Sequence, residues 1–256
     1  MTQQALLVEL QDQVLTLTIN RPEQRNALSL ALLDELGETL HRHADAEALK
    51  FAVITATGDR CFAAGGDLKE LDAYRTPEQA REMSQRGRRA LDAVREFPLP
   101  VVAALNGLAL GGGAELAMAC DLRVAHPRAE IGFLQGQLNV TTAWGGGIDL
   151  IAAVGPQRAL ELLLAARRVP AAEAQRIGLV SRVCGEDEPL SAAVADFIAP
   201  WRARSAGVMR GFKALTSARR RSLHAALTDV EEDNIIATWI HDDHWQAVAA
   251  GAKPRT

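Results

Sequence analysis

Two short glycine-rich segments are the part of the sequence best suited to chemistry. Residues 63–67 read AAGGD and residues 110–115 read LGGGAE; each follows an apolar run and leads into a predicted helix. A ligand can closely approach the backbone N–H groups of glycine, which has no Cβ, and a helix N-terminus offers unpaired N–H donors with a partial positive charge. Two such donors converging on one point would hold a negative oxygen, as in an oxyanion hole. Each segment alone also fits an ordinary tight turn between strand and helix.

Strands and helices alternate around these segments. A period of two predicts a hairpin with its turn at Asp12-Gln13, and short apolar runs predict further strands. The predicted strands cover residues 6–10, 14–19, 51–55, 101–105, 122–125 and 131–133. Ser29 is a predicted N-cap, Thr76 opens a capping box with Gln79, and Asp67 is the predicted N-cap of a short helix over 68–74.

The chain after about Gly145 is predicted to be almost wholly helical, in four or five segments. Strands mixed with helices and followed by helices alone indicate an α/β body with a helical C-terminal region. We expect the division at residues 1–200 and 201–256.

Composition excludes several classes of protein. Hydrophobic residues make up 48% and charged residues 23%, which is typical of a globular chain. The net charge of −4 lacks the basic footprint of a nucleic-acid-binding protein, and three cysteines without CxxC spacing favour neither a disulfide framework nor a zinc site. No signal peptide and no apolar run of the ~20 residues that a membrane helix needs is visible. We therefore expect a cytoplasmic protein without membrane or nucleic-acid partners.

Motifs for other common sites are missing from the sequence. There is no GxxxxGK[ST] phosphate loop, no GxSxG nucleophile elbow, no HExxH metal motif and no GxGxxG dinucleotide motif. The pair His241 and His244, with Asp242 and Asp243 between them, has a spacing that fits one helix face, but no further ligand is evident. We predict no metal site.

Three motifs in order resemble the enoyl-CoA hydratase/isomerase (crotonase) family. They are NRPEQRNAL, CFAAGGDLKEL and NGLALGGGAELAMACDLRVA, and the likeness extends through WGGG to GPQRALELLLAARRVPAAEAQRIGLVSRV. The resemblance implies a crotonase fold, which is a spiral of ββα turns with a C-terminal helical trimerisation region. It implies an acyl-CoA substrate, no cofactor besides the coenzyme A of that substrate, and a homotrimer or homohexamer. The family's two oxyanion donors map onto the backbone N–H groups of Gly66 and Gly112.

The acid/base residues follow the family pattern only in part. Glu115 lies three residues after Gly112, on the first turn of the predicted helix, where a carboxylate can move a proton or orient a water. It would also complement the helix dipole there. In hydratases of this family, a second glutamate lies some twenty residues further on. Counting back from Gly145-Gly146 places that position at Gln135, whose amide is not an ordinary acid or base.

Three functions remain open at this stage. Hydration or dehydration of an enoyl-CoA is the family default, with a single catalytic glutamate. The Trp-Gly-Gly element at Trp144 together with a non-carboxylate at Gln135 looks like the ethylmalonyl-CoA decarboxylase branch, so decarboxylation of a malonyl-type acyl-CoA is the alternative. Loss of one carboxylate also fits a non-catalytic acyl-CoA-binding protein.

Further residues are expected to bind the substrate. Arg60 and Lys69 bracket the first glycine-rich loop, where their cations would suit the CoA diphosphate, and Arg25 could assist. Ala64 and Asp67 of the same loop are also predicted to contact the substrate. Trp144 and Trp239 are predicted to line the acyl pocket, the latter because the C-terminal region closes that pocket in the family.

Overall fold

The computed structural model describes residues 4–251 of the 256-residue chain. The termini of the two predicted regions, residues 1–3 and 252–256, lie outside the described residues. The strands, in chain order, are β1 (Leu6–Gln11), β2 (Val14–Ile19), β3 (Phe51–Ala56), β4 (Cys61–Ala63), β5 (Val101–Leu105), β6 (Leu108–Leu110), β7 (Leu122–Ala125), β8 (Glu130–Gly132), β9 (Arg168–Pro170) and β10 (Arg182–Val183). The α-helices are α1 (Leu30–His43), α2 (Leu68–Leu71), α3 (Pro77–Arg95), α4 (Gly112–Ala119), α5 (Gly146–Val154), α6 (Pro156–Ala165), α7 (Ala171–Arg176), α8 (Leu190–Ile198), α9 (Ala206–Trp239) and α10 (Asp242–Ala249).

The larger sheet has the strand order β1-β2-β3-β5-β7-β10. The first pair is antiparallel and the later pairs are parallel. The predicted hairpin turn is confirmed: Asp12 and Gln13 have φ values of +49° and +67°, which suit a tight turn between twisted strands. β5 is buried at every position, as expected for a parallel strand covered on both faces.

The smaller sheet has the order β4-β6-β8-β9 and explains the repeating plan of the fold. β3, β5 and β7 lie in the larger sheet, and each is followed at once by β4, β6 or β8 in the smaller one. Helices follow β4 and β6, and a 3₁₀ helix (Leu134–Leu138) follows β8. The chain therefore advances by successive ββα turns, which is the predicted α/β arrangement.

The helix starts predicted from sequence are mostly confirmed. Ser29 accepts from the N–H of Leu32, and Thr76 forms a reciprocal capping box with Gln79. Asp67 occupies the N-cap position of α2, but its side chain makes no capping bond. It instead forms an ion pair with Arg21, at 2.8 Å, and α2 ends three residues earlier than predicted.

The prediction that the chain after Gly145 is almost wholly helical is wrong in detail. Residues 145–251 contain the six helices α5 to α10 and also the strands β9 and β10. β9 pairs antiparallel with β8, and β10 pairs parallel with β7. A strand of two or three residues is too short to show a period of two, so its pairing partner defines it and its own sequence does not.

The C-terminal region beyond residue 200 is helical, as predicted. α9 has 34 residues, so it is about 50 Å long, and it packs against α3 and α5. α10 then folds back onto the 3₁₀ helix Leu134–Leu138. None of the helices in residues 4–251 has both the length and the apolar character required to cross a bilayer.

Candidate active site

Three loops meet at one edge of the smaller sheet. Gly66 follows β4, Gly112 follows β6 and Gln135 follows β8. These three strands are parallel neighbours, so their carboxyl ends lie side by side. Positions about 20 to 70 residues apart in sequence are thereby brought to the wall of one cavity.

The two glycine-rich loops depend on glycine at the residues where they touch. Gly65 has φ +114° and Gly111 has φ +53°, which L side chains rarely adopt. A Cβ on Gly65 would lie 3.3 Å from the carbonyl oxygen of Leu110 and 3.7 Å from the backbone nitrogen of Gly112. The loops are therefore in direct contact and hold each other in place.

The backbone N–H groups of Gly66 and Gly112 are available to a ligand. Within residues 4–251, neither N–H has a hydrogen-bond acceptor, and both residues line the cavity. Gly112 is the first residue of α4, where helical geometry leaves the N–H unpaired. Two N–H groups without an acceptor on adjoining loops therefore border one cavity, and their convergence on a single oxygen stays a prediction.

Glu115 lies at the same cavity with its carboxylate surrounded by N–H donors. Its Oε2 accepts from the backbone N–H of Trp144 at 2.8 Å and of Gly146 at 2.9 Å. Its Oε1 accepts from the side-chain amide of Gln135 at 2.9 Å and from the N–H of Ala143 at 3.4 Å. Gly146 makes this close approach possible, since a Cβ there would lie 2.3 Å from Glu115 Cγ.

The pKa of Glu115 is raised to about 7. Burial is the largest cause, because it disfavours the charged form, and the nearby carboxylate of Glu231 is the second. The three backbone N–H donors act in the opposite direction by favouring the charged form. A carboxyl group that titrates near neutral pH can both accept and release a proton.

Gln135 joins Glu115 through its Nε2 and leaves its own oxygen free. The Oε1 atom is buried and has no hydrogen-bond partner in the described part of the chain. Because Gln135 lines the cavity, this oxygen is suited to accept a hydrogen bond from a water or substrate group.

The cavity has a volume of about 400 Å³, and its far wall is aromatic and aliphatic. Trp144 lies against both glycine-rich loops, and Trp239 at the end of α9 lines the cavity together with Met83 and Ile235. The indole N–H of Trp239 donates to the carbonyl of Tyr74 at 2.7 Å, which fixes the ring. Both tryptophans predicted for the acyl pocket line this cavity.

α10 closes this cavity from the C-terminal side. His244 is fully buried and contacts the rings of Trp239 and Trp245, and its Nδ1 lies 2.7 Å from the carbonyl oxygen of Leu138. Burial lowers the pKa of His244, so the neutral ring is favoured. His241 instead caps α10, and residues 4–251 contain no group of His, Cys, Asp or Glu arranged to hold a metal ion.

A second cavity of about 290 Å³ adjoins the first and is rich in arginine. Arg25, Ala64 and Leu110 line both cavities, and Arg60 and Arg168 line the second alone. The Arg25 and Arg60 side chains make no ion pair within residues 4–251, whereas Arg168 lies 3.5 Å from Glu130. Exposed, unpaired guanidinium groups suit phosphate oxygens.

Two predicted binding residues lie outside both cavity linings. Asp67 faces Arg21, and Lys69 is exposed on α2. A third cavity of about 570 Å³ lies between the larger sheet and α9, but its buried Lys213 is paired with the partly exposed Asp121. The unpaired donors and the raised carboxyl pKa make the 400 Å³ cavity the candidate active site.

Sequence reasoning missed the residues that support Glu115 from behind. Glu231 on α9 accepts from the backbone N–H of Gly145, from the hydroxyl of Thr142 and from Arg88. No local motif marks these positions. The only available sign was a row of polar residues at helical spacing, 224, 228 and 231, on what the structure shows to be the inward face of α9.

Comparison with known proteins gives a consistent result. Residues 9–251 match the family model described as enoyl-CoA hydratase/isomerase. The chain is 37% identical over 190 residues to the crotonyl-CoA hydratase of Syntrophomonas wolfei subsp. wolfei, covering 74% of this chain and 73% of that protein. It is 39% identical over 194 residues to a probable enoyl-CoA hydratase of Rhizobium meliloti, covering 76% and 74% respectively.

Solved structures resemble the whole described chain. An enoyl-CoA hydratase from Mycobacterium avium subsp. paratuberculosis K-10 superposes with a TM-score of 0.85 at 28% identity, covering 96% of this chain and 98% of that one. An enoyl-CoA hydratase from Bacillus anthracis gives 0.80 at 32% identity, covering 99% and 98%. The fold class expected from the sequence, a ββα spiral with C-terminal helices, is confirmed.

Proposed function

This chain belongs to the enoyl-CoA hydratase/isomerase family, and on that premise we propose that it is a hydratase-type lyase acting on a 2-enoyl-CoA. The observation that carries the proposal is the pair of unpaired N–H groups, Gly66 and Gly112, beside a carboxyl group with a pKa of about 7. The relatives named as hydratases support the same reaction.

The two backbone donors act on the thioester oxygen. When water adds to the β-carbon of an enoyl thioester, the electron pair of the double bond moves toward the carbonyl and creates an enolate. N–H groups that are already in place stabilise this charge more than they stabilise the ground state. Losing one donor of this kind costs about 10²–10³ in rate.

Glu115 carries the proton. Its ionised carboxylate takes a proton from the attacking water as the water oxygen bonds to the β-carbon. The same proton then passes from Glu115 to the α-carbon as the enolate collapses, so water has been added and the carboxylate is restored. A single carboxyl group is enough because its pKa of about 7 lets it accept and donate at neutral pH.

Gln135 orients the water and does not exchange protons with it. Its Nε2 is held by Glu115, so the amide plane is fixed and the free Oε1 accepts one hydrogen of the water. The other hydrogen is then directed to Glu115. This role replaces the second carboxylate that many family members carry.

The arginine-lined cavity fits the nucleotide end of coenzyme A. Arg25 and Arg60 would bind its phosphates, with Ala64 beside the thioester end, since Ala64 and Arg25 line both cavities. Lys69 and Asp67 lie outside both cavity linings, so they would contact only a part of the coenzyme A that extends beyond the two cavities. We propose no cofactor other than the coenzyme A of the substrate.

Exposed apolar side chains support assembly into a homotrimer or homohexamer. Leu160 and Leu164 on α6 are 58% and 77% exposed, and Phe212 and Leu215 on α9 are 68% and 73% exposed. Such patches are typical of subunit contacts. We also propose a cytoplasmic location, supported by the three buried cysteines, all unpaired.

Decarboxylation of a malonyl-type CoA is the second candidate. The non-titrating Gln135 favours it, because this reaction needs only one proton donor. The bond to the leaving carboxylate breaks, CO₂ departs, the enolate forms at the two N–H groups, and protonated Glu115 protonates the α-carbon.

The two reactions require opposite protonation states of Glu115 and are therefore distinguishable. Offered crotonyl-CoA, a hydratase consumes the enoyl absorbance, and its activity rises as the pH passes upward through about 7. Offered ethylmalonyl-CoA, a decarboxylase releases CO₂, and its activity falls over the same range. Release of CO₂ without enoyl turnover would overturn the proposal. Binding of CoA thioesters without either reaction would indicate a non-catalytic acyl-CoA-binding protein.

A further inference from the structure

The indole of Trp144 is inserted between helix α3 and the two glycine-rich loops. A Cβ on Gly112 would lie 2.3 Å from its six-membered ring, and a Cβ on Gly66 would lie 3.4 Å from the same ring. At the opposite end, a Cβ on Gly87 would lie 2.2 Å from Nε1. Glycine at all three positions leaves room for one large side chain.

Gly87 is unusual because it lies in the middle of a helix. α3 runs from Pro77 to Arg95, and a glycine in a helix interior is less favourable than an alanine. The missing side chain is matched by the five-membered ring of Trp144, whose Nε1 is buried without a hydrogen-bond partner in residues 4–251. The indole therefore fills space and makes no polar contact there.

Hydrogen bonds to side chains on three helices hold the backbone around Trp144 in place. Its N–H donates to Glu115 on α4 and its carbonyl accepts from Arg95 on α3, at 2.8 and 2.7 Å. The neighbouring N–H of Gly145 donates to Glu231 on α9 at 2.7 Å. These bonds are buried and fix the backbone, and the three glycines packed around the indole hold the ring, so the ring forms a fixed wall of the cavity.

The position of this wall determines what can lie beyond the thioester. A carbonyl oxygen between the N–H groups of Gly66 and Gly112 places the first acyl carbons beside the six-membered ring of Trp144. The coenzyme A end must point the other way, toward the arginine-lined cavity that Arg25 and Ala64 border. An acyl chain that continued in a straight line from the thioester would meet the indole.

We propose that Trp144, seated against Gly87, sets the acyl-chain length and restricts this site to short-chain acyl thioesters of about four carbons. The inference rests on the proposed function for the placement of the thioester. It goes further by assigning a class of substrate and the residue pair that selects it. Removing the indole opens the cavity as far as the bare backbone of α3, because Gly87 offers no side chain to refill the space.

Binding of saturated acyl-CoAs tests the wall without depending on turnover. Butanoyl-, hexanoyl-, octanoyl- and decanoyl-CoA are titrated calorimetrically into the wild type and into Trp144→Phe, Trp144→Leu and Trp144→Ala. A buried methylene is worth roughly fourfold in affinity. We expect the best chain length to increase as the side chain shrinks, with octanoyl-CoA binding the alanine variant about ten- to a hundredfold more tightly than the wild type.

Gly87→Ala tests the same wall from behind. The added methyl group would displace the indole toward the cavity, so we expect weaker hexanoyl-CoA binding and a smaller loss for butanoyl-CoA. Gly37→Ala is the matched control: Gly37 also lies in a helix interior, on α1, but a Cβ there would make only an ordinary 3.5 Å contact with Ala90. This control should keep the wild-type chain-length profile.

Two results would overturn the inference. One is an equal loss of affinity for every chain length in the Trp144 series, which is the outcome for a purely structural residue. The other is a wild type that binds octanoyl-CoA as tightly as butanoyl-CoA. Trp144→Phe keeps most of the packing, so its chain-length profile can be measured even if the alanine variant fails to fold. Failure of the proposed function would appear separately, as a wild type that binds acyl-CoAs with this profile but does not hydrate crotonyl-CoA.

Discussion

Two buried carboxylates on consecutive helices have opposite surroundings. Glu115 on α4 and Asp149 on α5 are each only 2% exposed. Glu115 is bonded by neutral N–H groups and lies near a second carboxylate, Glu231. Asp149 is bonded by Arg95, Arg220 and the ring of His224.

The comparison shows that burial alone does not decide whether a carboxyl group is reactive. Burial raises both pKa values, but the cations around Asp149 reverse the effect and hold its pKa well below the ordinary value. Within residues 4–251 no cation bonds to Glu115, whose pKa is about 7. Glu115 can therefore exchange protons at neutral pH, whereas Asp149 remains a fixed anion that connects α3, α5 and α9.

The two groups also contribute to stability in opposite pH ranges. The pKa of Glu115 is higher in the folded than in the unfolded chain, so its contribution is present at low pH and is lost as the pH rises from about 4.5 through about 7. The pKa of Asp149 is lower in the folded chain. Its contribution is present at neutral pH and is lost as the pH falls below the ordinary aspartate range.

The largest expected effect is on activity, in Glu115→Gln. We expect kcat/KM for crotonyl-CoA hydration to fall by about 10²–10⁴, because the proton carrier is gone. The free energy of unfolding should change by only about 1 kcal/mol, since no buried cation loses its partner. Gln135 can rotate its amide and offer its unpartnered oxygen to the new NH₂ group. A steady-state assay and a urea titration measure the two quantities. Near-normal turnover would exclude Glu115 as the proton carrier.

Asp149→Asn should show the reverse pattern. Removing one partner from a buried ion cluster typically costs about 3–5 kcal/mol of folding free energy. Asp92→Asn is the matched control: Asp92 also pairs with Arg95, but from a half-exposed position, so its loss should cost less than about 1 kcal/mol. Turnover per folded molecule should stay within a few fold in both variants. Equal destabilisation by the two substitutions would contradict the role assigned to burial.

The smallest expected effect is a pH shift in Glu231→Gln. Without the carboxylate of Glu231, the pKa of Glu115 should fall, and the acid limb of the kcat/KM profile should move to lower pH by about one unit or less. Glu232→Gln changes the next residue, which pairs with Arg81 at the surface, and should leave the limb unmoved. The profiles are measured at a temperature at which both variants are folded. An unmoved limb in Glu231→Gln would show that burial alone raises the pKa of Glu115.

The features around Glu115 could be predicted from the sequence, because residues that are close together in the sequence form them. Gly112 and Glu115 lie three residues apart at a helix start, and the motifs around Gly66 and Gly112 indicated two adjacent loops. Capping residues such as Thr76 and the period of two in β1 and β2 were equally local. Physical rules that act over a few residues are sufficient for such features.

The buried ion pairs of Asp149 and Glu231 could not be predicted, because they join residues that are far apart in the sequence. Arg95 meets Asp149 across 54 residues, and Arg88 meets Glu231 across 143. Charged residues in helices are ordinarily solvated, so sequence alone favoured a surface location for each of them. The strands β9 and β10 were missed for a related reason, since only their partners β8 and β7 define them.

The position of α10 has a practical consequence for labelling the protein. Val248 on α10 and Gly251 just after it line the 400 Å³ cavity. A fluorophore attached to this helix would therefore lie beside the space proposed for the substrate. β1 forms the edge of the larger sheet, and none of its residues lines this cavity. A label on β1 is therefore better suited to binding and kinetic measurements.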